Sequence, residues 1–243
     1  MAEVIAVLSG KGGTGKTSLC AGIAAALAQD GCRVLCIDCD VGLQNLDIAL
    51  GLTEYGAISF LDVCRGDYPI DLAAVHPQYP NLRFLTAPIS CRADEIDRFA
   101  FAHMVDEARS RFQYIFLDAP AGIEAGFRLA VGAADRAILV SNADPASIRD
   151  AQRCADELEQ LGKPARLVVN RLKKKMFKTV KLTVDDIMDN AGLPLLGVVP
   201  EDENVVFAAA FGRPLLGYTK KGAAKACRRI ARRLQGQRVK VRI

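Results

Sequence analysis

Nine consecutive residues, Gly10-Lys11-Gly12-Gly13-Thr14-Gly15-Lys16-Thr17-Ser18, have the types and order that hold a polyphosphate. Gly10, Gly15, Lys16 and Thr17 satisfy the spacing G-x-x-x-x-G-K-[ST]. An apolar run from Val4 to Leu8 precedes the loop, and a helical pattern from Leu19 to Ala28 follows it. In that strand–loop–helix setting the glycines let successive N–H groups turn inward around a phosphate, and the helix start adds the positive end of its dipole. Lys16 is expected to reach the β- and γ-phosphates, and the Thr17 hydroxyl to hold Mg²⁺.

Acidic residues stand at two strand ends. After the second apolar run come Asp38 and Asp40, two positions apart and so pointing the same way. One could orient an attacking water while the other supports the hydration shell of Mg²⁺. An Asx-rich turn is the plainer alternative. Tyr114-Ile115-Phe116-Leu117 ends in Asp118, an arrangement that places a carboxylate beside Mg²⁺. Asn170 and Arg171 close a later strand, and Pro200-Glu201-Asp202 follow the last one. The Asn170 amide can both donate to and accept from an adenine edge. Guanine recognition would call for an aspartate in an N-K-x-D pattern, which Asn170-Arg171-Leu172-Lys173 lacks.

The elements that must position these groups alternate along the chain. Strands are expected at 4–8, 34–37, 82–86, 114–117, 136–140, 166–169 and 195–199. Helices are expected at 18–29, 59–64, 93–110, 126–132, 146–160, 183–190, 204–211 and 220–234. The strands carry few polar positions, as in a parallel sheet covered on both faces. The fold class is therefore α/β, a doubly wound, mainly parallel sheet whose ligands bind outside the carboxyl ends of the strands. With 243 residues, 51% of them hydrophobic, and no linker or repeat, one domain over 1–236 and a short tail over 237–243 are expected. No run of eighteen apolar residues occurs, and the first strand starts too early to leave room for a signal peptide, so a cytoplasmic protein is expected.

Eight cysteines and two histidines form no metal-ligand spacing; Cys36 and Cys39 straddle a strand end, and His76 and His103 are isolated. The net charge of +4 is modest, but its basic residues gather late, at 171–181 and again at 220–233. A solvated face is the usual meaning of such runs. Anionic lipid or nucleic acid is the alternative.

Lys11 through Ser18 resembles the deviant Walker A motif, KGGxGKT[ST], of the MinD/ParA family of dimerising ATPases. Four further segments are similar to the MinD branch of that family. Asp38 to Asp47 resembles its D-x-D-x-G-L-x-N-L-D switch, Asp118 to Glu124 its D-x-P-A-G-I-E switch, and Pro200 to Asn204 its P-[ED]-D-x-x-V loop. Ser141 to Ala151 resembles its dimer face, departing at Ala143-Asp144-Pro145. The likeness runs from about residue 2 to about residue 236. It implies a catalytic set of Lys11, Lys16 and Asp40, with Lys11 crossing to the partner subunit's nucleotide and Asp40 positioning the water. It implies that ATP or ADP is held by Gly10, Lys11, Gly12, Gly13, Thr14, Gly15, Lys16, Thr17, Ser18, Asn170, Arg171, Pro200, Glu201 and Asp202. Mg²⁺ would sit among Thr17, Asp38 and Asp118, and the Gly122 N–H would face the γ-phosphate.

The resemblance also implies an ATP-dependent homodimer, a MinC-like division inhibitor and an ATPase activator as partners. MinD-type proteins end in an amphipathic helix that docks on the inner face of the cell membrane. Here 237–243 alternates with period two and is too short for such a helix, which leaves membrane attachment open. A cargo-positioning relative that grips DNA through the late basic residues is the alternative, and an iron–sulfur carrier of similar fold lacks a properly placed cysteine pair.

Overall fold

The computed structural model describes residues 2–89, 91–173 and 183–241. Its centre is β1, Glu3–Leu8, whose residues alternate between two cores. Ile5 and Val7 join one apolar cluster, while Val4, Ala6 and Leu8 join the other. A strand buried on both faces must be apolar throughout, which is why it reads as a continuous run. β1 lies between β5 (Tyr114–Asp118) and β6 (Arg136–Asn142), parallel to both. β2 (Val34–Asp38) flanks β5, and β4 (Tyr79–Leu85) flanks β2. On the other side β7 (Ala165–Leu172) and β8 (Leu195–Pro200) complete the sheet. The full order is β3-β4-β2-β5-β1-β6-β7-β8.

β3, Ala74–His76, pairs antiparallel with β4 at the sheet edge. It was not among the expected strands. Three residues carry too little periodicity to read, and Val75 is half exposed. The buried His76 bridges to the Leu50 carbonyl at 2.8 Å, a structural use of an isolated histidine.

One face of the sheet is covered by α1 (Lys16–Gln29) and the last helix, α10 (Gly222–Leu234). α1 is apolar on nearly every side because it is enclosed by the sheet and by α10. The other face carries α3 (Phe60–Cys64), α4 (Arg98–Ala108), α5 (Ala125–Ala133) and α6 (Pro145–Gln160). The expected helix at 93–110 begins properly only at Arg98, because Asp97 caps it by accepting from the Phe99 and Ala100 N–H groups. α7 (Val184–Ala191) and α8 (Asn204–Ala210) agree closely with expectation. Two short helices were missed, α2 (Leu46–Leu50) and α9 (Leu215–Tyr218), each too brief to show a helical period.

Among the described residues no helix is long and apolar enough to cross a membrane, and no cluster of metal-ligating side chains occurs. All eight cysteines are free, with Cys36 and Cys39 both buried. The tail at 237–241 forms neither helix nor strand. The Arg233 guanidinium donates to the Val239 and Leu196 carbonyls and so holds the tail beside β8. Lys174, Lys175, Lys178 and Lys181 of the basic run, and Arg242 and Ile243 of the tail, lie outside the described residues.

Candidate nucleotide site

The loop of residues 10–15 leaves the carboxyl end of β1 and enters α1 at Lys16. Gly15 stands before the helix with φ +84, and a Cβ there would lie 2.4 Å from Asn170 Nδ2, so both conformation and space demand glycine. The same Asn170 amide donates to the Thr14 carbonyl at 2.7 Å. The end of β7 therefore buttresses the loop from the side.

Lys16 points back under the loop. Its Nζ donates to Asp118 Oδ1 at 2.6 Å and lies 3.3 Å from the Thr17 hydroxyl. Both charged side chains are buried, at 7% and 1% exposure. Burial pulls the Lys16 pKa down, but the charge and hydrogen bond of Asp118 outweigh it and leave it raised. Lys16 is thus a cation held charged in a dry site.

The register of the sheet sets Asp38 directly opposite Asp118. Burial and then the Asp118 charge push Asp38 up to about 7, against the N–H groups that favour its ionised form. Those groups are the Asp40 N–H on Oδ1 at 2.9 Å and the Leu46 N–H on Oδ2 at 3.1 Å. Asp38 therefore shapes the 40–46 loop from within. Gln44 pins the loop's far side by donating to the Ala87 carbonyl at 2.6 Å. Asp40 is only partly buried, and it follows directly on the strand end that presents Asp38.

Asp118 Oδ2 and Thr14 Oγ1 are buried without a hydrogen-bond partner. A buried carboxylate oxygen without a donor, beside a lysine and a hydroxyl, suits a hydrated divalent cation and an incoming phosphate. Thr17 and Asp118 thus fit Mg²⁺ on this geometry. The Gly122 N–H, expected to face the γ-phosphate, donates instead to the Ser9 carbonyl at 2.9 Å. That bond ties the loop after β5 to the end of β1.

Beside the loop lies a cleft of about 210 Å³ lined by Ser18, Asn170, Arg171, Pro200, Glu201 and Val206, among others. Arg171 adopts φ +52, an unusual conformation for a side chain of its size, in keeping with a functional position. Its guanidinium takes both Glu201 oxygens, at 2.9 and 3.1 Å, and the Gly13 carbonyl at 3.1 Å. The fork spans the ends of β7 and β8 and reaches the phosphate loop.

Lys11 turns outward along its own chain to Asp144, with Nζ–Oδ1 at 3.2 Å. Asp144 also caps α6, accepting from the Ser147 N–H at 3.0 Å and its hydroxyl at 2.6 Å. Asp144 was not among the expected site residues. Its cap was legible in Asp144-Pro145-Ala146-Ser147, but its meeting with Lys11 was not. Val206, Ala223 and Cys227, which line the cleft from α8 and α10, were also missed.

Residues 5–215 match the CobQ/CobB/MinD/ParA nucleotide binding domain. The chain belongs to the MinD/ParA family of P-loop ATPases. Within that family it stands with MinD. The septum site-determining protein MinD of a Synechocystis strain is 40% identical over 242 residues, covering 98% of this chain and 91% of that one. MinD in a solved MinC:MinD cell division complex from Aquifex aeolicus superposes with a TM-score of 0.92 at 38% identity, covering 100% and 99% of the two chains. MinD of Pyrococcus horikoshii, solved with Mg-ADP, gives 0.84 at 26% identity, covering 96% of each. These relatives do not favour the DNA-partitioning alternative. They agree with the chemistry of the loop: a Mg²⁺-dependent ATPase that cycles between ATP and ADP.

Proposed function

We propose that this MinD/ParA family member is an ATP-timed dimerisation switch that takes part in choosing the division site. Two subunits close face to face on ATP and reopen when it is hydrolysed. The observation that carries the reading is the buried Lys16–Asp118 pair beneath a glycine-rich loop, beside the Thr17 hydroxyl. Phosphates entering the loop offer Lys16 an anion in place of Asp118, which leaves that carboxylate free. Thr17 and Asp118 would hold Mg²⁺, which would supply neutralising charge to the phosphate oxygens. Lys16 orients the terminal phosphates, and Asp40, at the mouth of the site, positions the water that attacks. The gain in rate comes from positioning and charge stabilisation in a partly dry site.

Lys11 serves the partner subunit's nucleotide and so must leave Asp144 as the dimer forms. The composite face of the dimer recruits a MinC-like division inhibitor, as the Aquifex complex suggests by its name, and an activator of hydrolysis. The cytoplasm is the proposed place of work, with the membrane's inner face a second location. Lys11→Ala tests the dimer. The variant is expected to bind ATP yet remain monomeric by light scattering, and an ATP-dependent dimer of normal affinity would refute the cross-subunit role.

A further inference from the structure

The turn at 200–203 forms one wall of the cleft, and it is tied down at two points. Glu201 takes the Arg171 fork. Asp202 faces the other way. Its Oδ1 accepts from the Asn204 backbone N–H at 3.1 Å and from Asn204 Nδ2 at 2.7 Å, a turn closed on itself. Its Oδ2 accepts from the Ala223 N–H at 2.8 Å, in the first turn of α10 and 21 residues further along the chain. α10 has no side-chain cap of its own and no acid in its first turn. Asp202 therefore supplies an acceptor for an otherwise orphaned N–H and the negative charge that a helix start favours.

The approach leaves no room for a side chain at residue 222. Gly222 has φ +50, and a Cβ there would stand 2.0 Å from Asp202 Oδ2. Ala223 and Cys227, one helical turn apart on α10, line the same cleft as Pro200 and Glu201. One carboxylate thus locks a wall of the cleft to its floor.

We propose that Asp202 is a positioning residue for the nucleoside end of the nucleotide. It fixes the 200–203 turn against α10 and so sets the width of the cleft, which it also helps to line. The sequence grouped Asp202 with residues that contact the nucleotide. That contact belongs to the backbone of the loop; the side chain, whose two oxygens accept from Asn204 and from the Ala223 N–H, has this separate task. The proposal rests on the assignment of this cleft to the nucleoside part of ATP.

Asp202→Asn is the sharp test. Its amide oxygen can still accept from Asn204 and preserve the turn, while its NH₂ meets the Ala223 N–H, donor against donor. Calorimetry compares Mg·ATP with Mg·tripolyphosphate, which carries phosphates and no nucleoside. ATP affinity is expected to fall about tenfold, the scale of one lost charge-assisted hydrogen bond. Tripolyphosphate affinity should stay at the wild-type value, which also shows that the variant is folded. Gly222→Ala, which crowds the same carboxylate from the helix side, should repeat the pattern. A purely structural role would weaken both ligands together, and that result overturns the proposal, as does a wild-type ratio of the two affinities in the Asn variant. If the wild-type protein binds the two ligands equally, the cleft does not hold the nucleoside, and the assignment beneath the proposal fails first.

Discussion

The two ends of the central sheet treat charge in opposite ways. At the carboxyl ends of β2 and β5, Asp38, Asp118 and Lys16 are buried together. At the amino ends, Arg109 grips Asp135 through two contacts of 2.8 Å, and Arg136 meets Glu3 at 2.6 Å. Those pairs lie near water: the Arg109 and Asp135 side chains are 23% and 44% exposed. Burial works against the ionised Asp135, but the Arg109 hydrogen bond and the Val4 N–H outweigh it and hold its carboxyl below the usual range. Asp38 is pushed the other way, up to about 7, by burial and by Asp118. One end balances the Asp135 charge with Arg109 close to solvent. The other keeps two carboxylates in a dry site with a single buried lysine, an arrangement that folding alone does not favour and a polyphosphate with its cation would complete.

The contrast sharpens most at Lys16. Lys16→Ala removes the one buried cation of the phosphate site and is expected to abolish tight ATP binding by calorimetry. Asp118 can take up a proton and stay buried, so the fold should survive. Unchanged affinity would mean that the loop does not carry the phosphates. Asp40→Ala comes next. It should still bind Mg·ATP, because the phosphates are held elsewhere, while turnover falls by roughly 10²-fold, the scale of a lost orienting group. Normal turnover in that variant would move the water to another residue.

The third test is pH. A carboxyl whose folded pKa is raised binds more protons folded than unfolded, so its contribution to stability is complete below its ordinary value of 3.8 and is lost as pH rises through about 7. Asp38→Asn cannot ionise. Relative to wild type its stability should climb between pH 4 and 8, by on the order of 4 kcal/mol. Parallel denaturation curves across that range would show that Asp38 titrates normally. The smallest effect belongs to the far end. Arg109→Met should cost only about 1 kcal/mol, a fall in Tm of roughly 2–4 °C, with ATP binding unaffected. Asp135 has the opposite sign, so its contribution is present above 3.8 and fades as pH falls. A loss of ATP affinity on breaking this exposed pair would undo the contrast between the two ends.

Much of this was legible because the relevant residues are neighbours in the chain. The phosphate loop is contiguous, and the acids Asp38 and Asp118 announce themselves by ending apolar runs. β3 was not legible, because an edge strand of three residues pairs through its backbone and leaves no pattern in its side chains. The inward role of Asp38 was not legible either. Its partners are backbone N–H groups of Asp40 and Leu46, which carry no residue code.

By itself the sequence determined the loop, the strand-ending carboxylates and the α/β alternation, since each is a local consequence of residue type and period. Only the tertiary structure decided that Lys16 meets Asp118 across 102 residues, that Lys11 rests on Asp144, and that Asp202 reaches across to α10. Those meetings depend on sheet order and register, which bring the ends of β1, β5, β6, β7 and β8 to one edge. Register is a property of paired strands, and no stretch of chain holds it alone.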